Sequence, residues 1–281
     1  MSVFLIIILL ISFFPTDLFA WGLETHLKIG STILENTSMT IIKNYSMNFL
    51  LGNIFPDFFT LLKNLSAIKR NFHTHSWDML SKLFNNASED SEKAFCYGYA
   101  AHLSADIIAH NYYIPQTFLF VSKNKYISHL LLEYAETRNS FLYEELLDEL
   151  LEFSKENSDL FLKTTGISKE YFIKQIKYLK LTLKTQHFVR FKYFAYLFEK
   201  ALDENFIERS NYYQKKAIEV AAKAVDNGFS EYCMYDPTGI NSITKAKNLR
   251  EKIRLNYGKN ITKKLAKKKT FLKSFSADNF T

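Results

Sequence analysis

The chain has 281 residues, 47% hydrophobic and 23% charged, with eight glycines, four prolines, two cysteines and a formal charge of +7. That apolar content excludes a disordered chain, and the few glycines and cysteines exclude collagen-like and disulfide-scaffold classes. Scarce Gly and Pro also leave too little turn chemistry for a many-stranded β protein, so an all-α fold is expected.

The chain opens on an apolar run, Val3 to Phe14, broken only by Ser12. The run is shorter than the roughly 20 residues that span a bilayer. Pro15, Thr16 and Asp17 follow, then Leu18-Phe19-Ala20. Residues 1–20 therefore read as a signal peptide cleaved after Ala20, with an uncleaved anchor as the alternative. Cleavage makes Trp21 the first residue and implies a secreted or periplasmic protein.

Helical periodicity then recurs. Candidate helices are Thr25–Asn36, Thr40–Leu51, Ser76–Asn85, Ser91–Asn111, Ser122–Glu152, Lys169–Thr185, Phe188–Asp203 and Ser210–Asn227. Leu142, Leu146 and Leu150 fall at the i, i+4, i+8 spacing of a buried stripe. Ser210 suits an N-cap, and Gly228 suits a stop. Gly52 to Asp57 interrupts the pattern and reads as a loop. Residues 21–240 form one multi-helix domain on this reading, expected to be a monomer.

The charge is uneven. Residues 241–281 carry twelve Lys and Arg against two acids, a balance of +10, whereas the preceding 240 carry 24 basic against 27 acidic side chains, a balance of −3. The stretch 241–281 reads as a basic C-terminal tail suited to an anionic membrane or nucleic acid, or as a solvated terminus. Cys96 and Cys233 could pair in an oxidising compartment.

Six of the seven histidines lie between residues 26 and 129. In H-L-S-A-D-I-I-A-H, His102, Asp106 and His110 stand at i, i+4, i+8. Each four-residue step turns a helix by about 400°, a drift of only about 40°, so the three share one face. His129 and Glu133 repeat the i, i+4 step. Two imidazoles and a carboxylate on one stripe, facing His-x3-Glu on another, make a ligand set suited to zinc. More than four candidate ligands imply more than one metal, and clustered metals suit a phosphoryl centre.

Several motifs stand in a telling order: W-G-L-E-T-H from Trp21, G-N-I-F-P-D from Gly52, T-H-S-W from Thr74, H-L-S-A-D-I-I-A-H from His102 and H-L-L-L-E from His129. Following a signal peptide, this set resembles the zinc-dependent phospholipase C family of secreted enzymes. The resemblance runs from Trp21 to Glu133. It implies three zinc ions. Trp21 would bind one through its α-amine and carbonyl oxygen, joined by His26, with Asp106 bridging to a second. Asp57, His75 and His102 would complete the second, and His110, His129 and Glu133 the third. Asp57 would also serve as general base. His73 and His75 could both supply the third motif's ligand, and T-H-S-W favours His75. The D-x3-H step departs from the D-x5-H of several relatives.

The implied activity is hydrolysis of a phospholipid head-group phosphodiester by metal-activated water. Glu24 and Phe58 could bind a quaternary ammonium head group, or simply pack. Single-strand-specific zinc nucleases share the scaffold type, but their last pair reads His-x3-Asp where this chain has His129-x3-Glu133. A zinc-binding protein that has lost activity is the third reading.

Overall fold

The computed structural model describes residues 21–59, 73–120, 141–188 and 206–258. Among them there are helices and turns and no strand. The expected signal peptide, the His129–Glu133 pair, residues 122–140 of the expected helix Ser122–Glu152, the expected helix Phe188–Asp203 beyond Phe188 and residues 259–281 of the basic stretch lie outside the described residues.

The first helices are α1 (Leu23–Asn36), the short α2 (Thr40–Asn44) and α3 (Ser46–Ile54), which runs into a 3-10 turn over Phe55–Phe59. Helix α4 (Trp77–Asn86) precedes α5 (Asp90–Ile108). A π turn over Ala109–Tyr113 and helix α6 (Ile114–Phe120) continue α5 without a break. Then come α7 (Phe141–Phe153), α8 (Asp159–Thr165), α9 (Lys169–Phe188), α10 (Phe206–Asn227) and α11 (Ile240–Tyr257). No helix among the described residues is long and apolar enough to cross a membrane.

Helix α5 is the axis of the fold. From Ala94 onward nearly every residue is buried, including His102, Ser104 and Asp106. A helix apolar around most of its girth must be covered on all sides, and α1, α2, α3, α4 and α10 all touch it. Glu92 starts it well: its carboxylate accepts from the amides of Ser88 (2.7 Å) and Glu89 (3.1 Å), satisfying donors left over at the helix start.

The crossing of α3 and α5 depends on two glycines. A Cβ on Gly52 would lie 1.9 Å from the Phe95 carbonyl oxygen, and one on Gly98 would lie 1.9 Å from that of Phe49. Backbone meets backbone at both points, so neither position has room for a side chain. This overturns the loop expected from Gly52 to Asp57. Gly52-Asn53-Ile54 stay helical, because Gly52 serves a close approach and not a turn. The helix expected over Thr40–Leu51 is in fact two, with a break at Tyr45.

The expected helix ending at Asn111 continues through the π turn to Phe120. Pro115, which has no amide hydrogen to donate, stands just after the π turn, where the helical ladder is already displaced. The basic stretch from residue 241 also differs from a loosely attached tail. Its first part is α11, which packs on α6 and buries Ile243 and Ala246. Arg250 Nη1 donates to the carbonyl oxygens of Phe118 and, at 2.9 Å, Leu119. Cys96 is buried in α5 and Cys233 is exposed, and both are free thiols.

Candidate metal centre

Four segments bring imidazoles and carboxylates to one buried place. α1 supplies His26, the 3-10 turn supplies Asp57, the turn before α4 supplies His75, and α5 with its π turn supplies His102, Asp106 and His110. All six are buried, His75 the most accessible of them at 7%.

The distances are short. His26 Nε2 lies 3.3 Å from Asp106 Oδ1, His102 Nε2 3.2 Å from Asp106 Oδ2, and His75 Nε2 3.0 Å from Asp57 Oδ1. His110 Nε2 lies 3.9 Å from Asp106 Oδ1. Among the described residues two groups emerge, the ligand atoms of each lying within 4.8 Å of one another: His26, His102 and Asp106, and Asp57, His75 and His102. The rings of His26 and His102 stack with centroids 3.8 Å apart.

Local structure explains why these side chains point inward. Ser76 caps α4, accepting from the Met79 amide at 3.2 Å while its hydroxyl donates to the His73 carbonyl at 2.8 Å. That tight turn buries His75 and leaves His73 exposed, which separates the two histidines that spacing left open. The Tyr99 hydroxyl donates to the Thr74 carbonyl and fixes the same turn. Burial, and then the negative charge of Asp57, push the Tyr99 hydroxyl well above its usual range, so it stays protonated.

His102 decides what the cluster wants. Its Nδ1 lies 2.8 Å from the Asn53 carbonyl oxygen, which can only accept. The ring proton therefore sits on Nδ1, and in neutral His102 the lone pair of Nε2 faces Asp106 Oδ2 at 3.2 Å and His75 Nε2 at 3.2 Å. A lone pair aimed at a carboxylate and another ring nitrogen must share a proton or a metal ion with them. With neutral imidazoles the six side chains carry two negative charges in a site nearly closed to water, a balance that suits divalent metal. Imidazole nitrogen with carboxylate oxygen is a zinc donor set.

The same place favours positive charge. Burial would raise the Asp106 carboxyl, but the charged forms of His102 and His26 outweigh it and hold it well below the usual carboxylate range. Burial pushes the His110 imidazole down to about 4, against the opposing pull of Asp106. Both groups are in the deprotonated form that binds metal at neutral pH.

The profile of the family described as zinc dependent phospholipase C matches residues 25–237. The chain belongs to this family. Its all-α architecture agrees with that membership, and the family implies a zinc-dependent phospholipase C type of hydrolase. No curated protein and no solved structure matches the chain.

The remaining expected residues fall as follows. Trp21 is fully buried, its ring edge-on to His26 with centroids 6.3 Å apart. His129 and Glu133 lie outside the described residues. Phe58 is buried and packs against Phe55 at 5.0 Å, and Glu24 is also buried. Asn53 stands inside the G-N-I-F-P-D motif, but it acts through its carbonyl, which orients His102 and which no side-chain pattern reveals. Asn111 and Gly239 carry no sequence signal either, since spacing along the chain does not connect them to the histidines.

Proposed function

We propose that the chain is a secreted zinc-dependent phosphodiesterase that cleaves phospholipid head groups in the manner of a phospholipase C. The observation that carries this reading is that His102, its Nδ1 engaged by the Asn53 carbonyl, is shared by two groups of ligands around Asp57 and Asp106. Family membership supplies the reaction class. The His-x3-Glu spacing of His129 and Glu133 favours a phospholipid over a single-stranded nucleic acid.

In this reading Trp21, His26 and Asp106 would hold one zinc, Asp57, His75 and His102 with Asp106 a second, and His110, His129 and Glu133 a third. Bound zinc supplies Lewis acidity and a water acidic enough to react near neutral pH. Asp57, steadied by His75 at 3.0 Å, takes up the proton of the attacking water. Asn53, through its carbonyl, keeps the His102 ring in the ligating tautomer. The positive surplus of residues 241–281 favours contact with an anionic membrane.

The test is to assay the purified protein against phosphatidylcholine, phosphatidylinositol and single-stranded DNA. Release of diacylglycerol is expected, abolished by chelation and restored by zinc. Release of nucleotides without diacylglycerol overturns the lipid reading.

A further inference from the structure

We propose that the turn from Tyr235 to Ser242, which extends past the end of the family match at residue 237, is a positioning element that sets His110 and steadies the arm carrying His75. The proposal rests on the metal-centre reading above.

His110 stands on the π turn, where the Ile114 amide bonds back to the Ala109 carbonyl. Such a turn widens the helix and needs support for its displaced backbone. The support comes from a segment about 130 residues away in sequence. Asn111 Nδ2 donates to the Asp236 carbonyl at 2.7 Å and to the Ile107 carbonyl at 3.1 Å, and Asn111 Oδ1 accepts from the Ser242 hydroxyl at 2.8 Å. One amide side chain thus ties the π turn to both ends of the Asp236–Ser242 turn.

Gly239 closes the contact. It is buried, has φ +58°, and opens α11 as its N-cap. A Cβ there would lie 2.2 Å from the His110 carbonyl oxygen and 2.6 Å from His110 Cβ. The obstacle is the root of the imidazole, so no rotamer change elsewhere relieves it. Asp236 shapes the turn, its Oδ1 accepting from the Thr238 amide at 2.8 Å. At the turn's other end, Trp77 Nε1 donates to the Tyr235 carbonyl at 2.9 Å. Trp77 lies two residues after His75, so one turn holds both ligand-bearing segments. Metal–ligand distances keep within about 0.2 Å of their preferred values, and a Cβ on Gly239 presses on the root of the His110 side chain.

The experiment titrates cobalt(II) into metal-stripped full-length protein and follows both affinity and the visible ligand-field spectrum. Gly239→Ala is expected to bind at least ~10-fold more weakly with an altered spectrum, the range seen when outer supports of ligands are lost. Ser242→Ala, which removes one hydroxyl, is expected to weaken binding in the same direction by a smaller factor. Gly166→Ala is the control, since Gly166 has φ +73° with nothing within 4 Å of an added Cβ. It carries the same backbone strain without the contact and is expected to bind as wild type. Wild-type affinity and spectrum in Gly239→Ala overturn the positioning role and leave the metal centre standing. Failure of the wild-type protein to bind cobalt overturns both. If Gly239→Ala does not fold, Ser242→Ala decides, and unchanged binding there overturns the proposal.

Discussion

His102 Nδ1 donates to the carbonyl oxygen of Asn53 at 2.8 Å, so the opposite nitrogen of the ring is left to face Asp106 and His75. His102 is the residue common to both ligand groups. His102→Ala is therefore expected to lower metal content in both and to reduce kcat/KM by at least ~100-fold. His75→Ala is expected to disable the group it shares with Asp57, while His73→Ala, at an exposed position, leaves metal content unchanged. Metal analysis of the three purified variants checks this, and a loss confined to His73→Ala would reverse the assignment.

Removing metal exposes the cost of burying this cluster. A histidine held down to about 4 binds fewer protons folded than unfolded at any pH between that value and its ordinary 6.5. Stability therefore rises with pH across that window and is lost as pH falls through it. Asp106, held below its usual range despite burial, contributes stability that is present above its unfolded value of 3.8 and is lost under stronger acid. The two slopes share a sign. Urea midpoints of the stripped protein are expected to fall from pH 6.5 to 4, with roughly 3 kcal/mol coming from His110. A midpoint that is level across that range contradicts the burial of a neutral His110.

The all-α class and the i, i+4, i+8 stripe were legible because helical period and ligand spacing are local properties. His102 and Asp106 stand one turn apart on α5, as their spacing requires. What was not legible is what depends on contacts distant in sequence. Nothing local distinguishes a glycine that lets two helices touch, such as Gly52, from one that ends a helix. Helix α11 was hidden by its charge. Its lysines and Arg250 dominate the composition, while the few residues that dock it, Ile243 and Ala246, make a weak apolar pattern.

The glycine contact between α3 and α5 also reaches the site. A Cβ on Gly98 would strike the Phe49 carbonyl and come within 2.8 Å of the Asn53 amide. Asn53 in turn orients His102. Gly98→Ala is expected to cost about 3 kcal/mol in stability, the upper end for overpacking a tight contact. It is also expected to weaken metal binding, because Asn53 moves with α3. Chemical denaturation together with metal titration measures both, and a variant that loses neither would show that the helices can separate freely.

The two thiols should behave differently. Burial, with a further push from Glu92, raises the Cys96 thiol to about 12, whereas Cys233, also raised by partial burial, is exposed to reagent. Reaction needs the thiolate and access to it. One thiol per native chain is expected to react with an aromatic disulfide reagent at pH 8, and two after denaturation. Two fast thiols in the native protein would mean that α5 opens.

Trp21 supplies the last test, because it joins the proposed signal cleavage to the proposed metal site. Its side chain is fully buried, edge-on to His26 and 6.1 Å from the ring of Tyr113. A chain that begins at Trp21 carries its free amine on a residue whose ring meets His26. A primary amine is a nitrogen donor of the kind zinc takes, whereas the amide left when a residue precedes Trp21 is a poor one. Three proteins separate the amine from simple crowding: one starting at Trp21, one with a single glycine before it, and one acetylated at Trp21. Acetylation adds little bulk but removes the donor. Both altered forms are expected to bind one metal equivalent ~10- to 100-fold more weakly, the scale of losing support at a metal site. If the acetylated protein retains full zinc content and activity, the N-terminal nitrogen is not a ligand and His26 holds its metal without it.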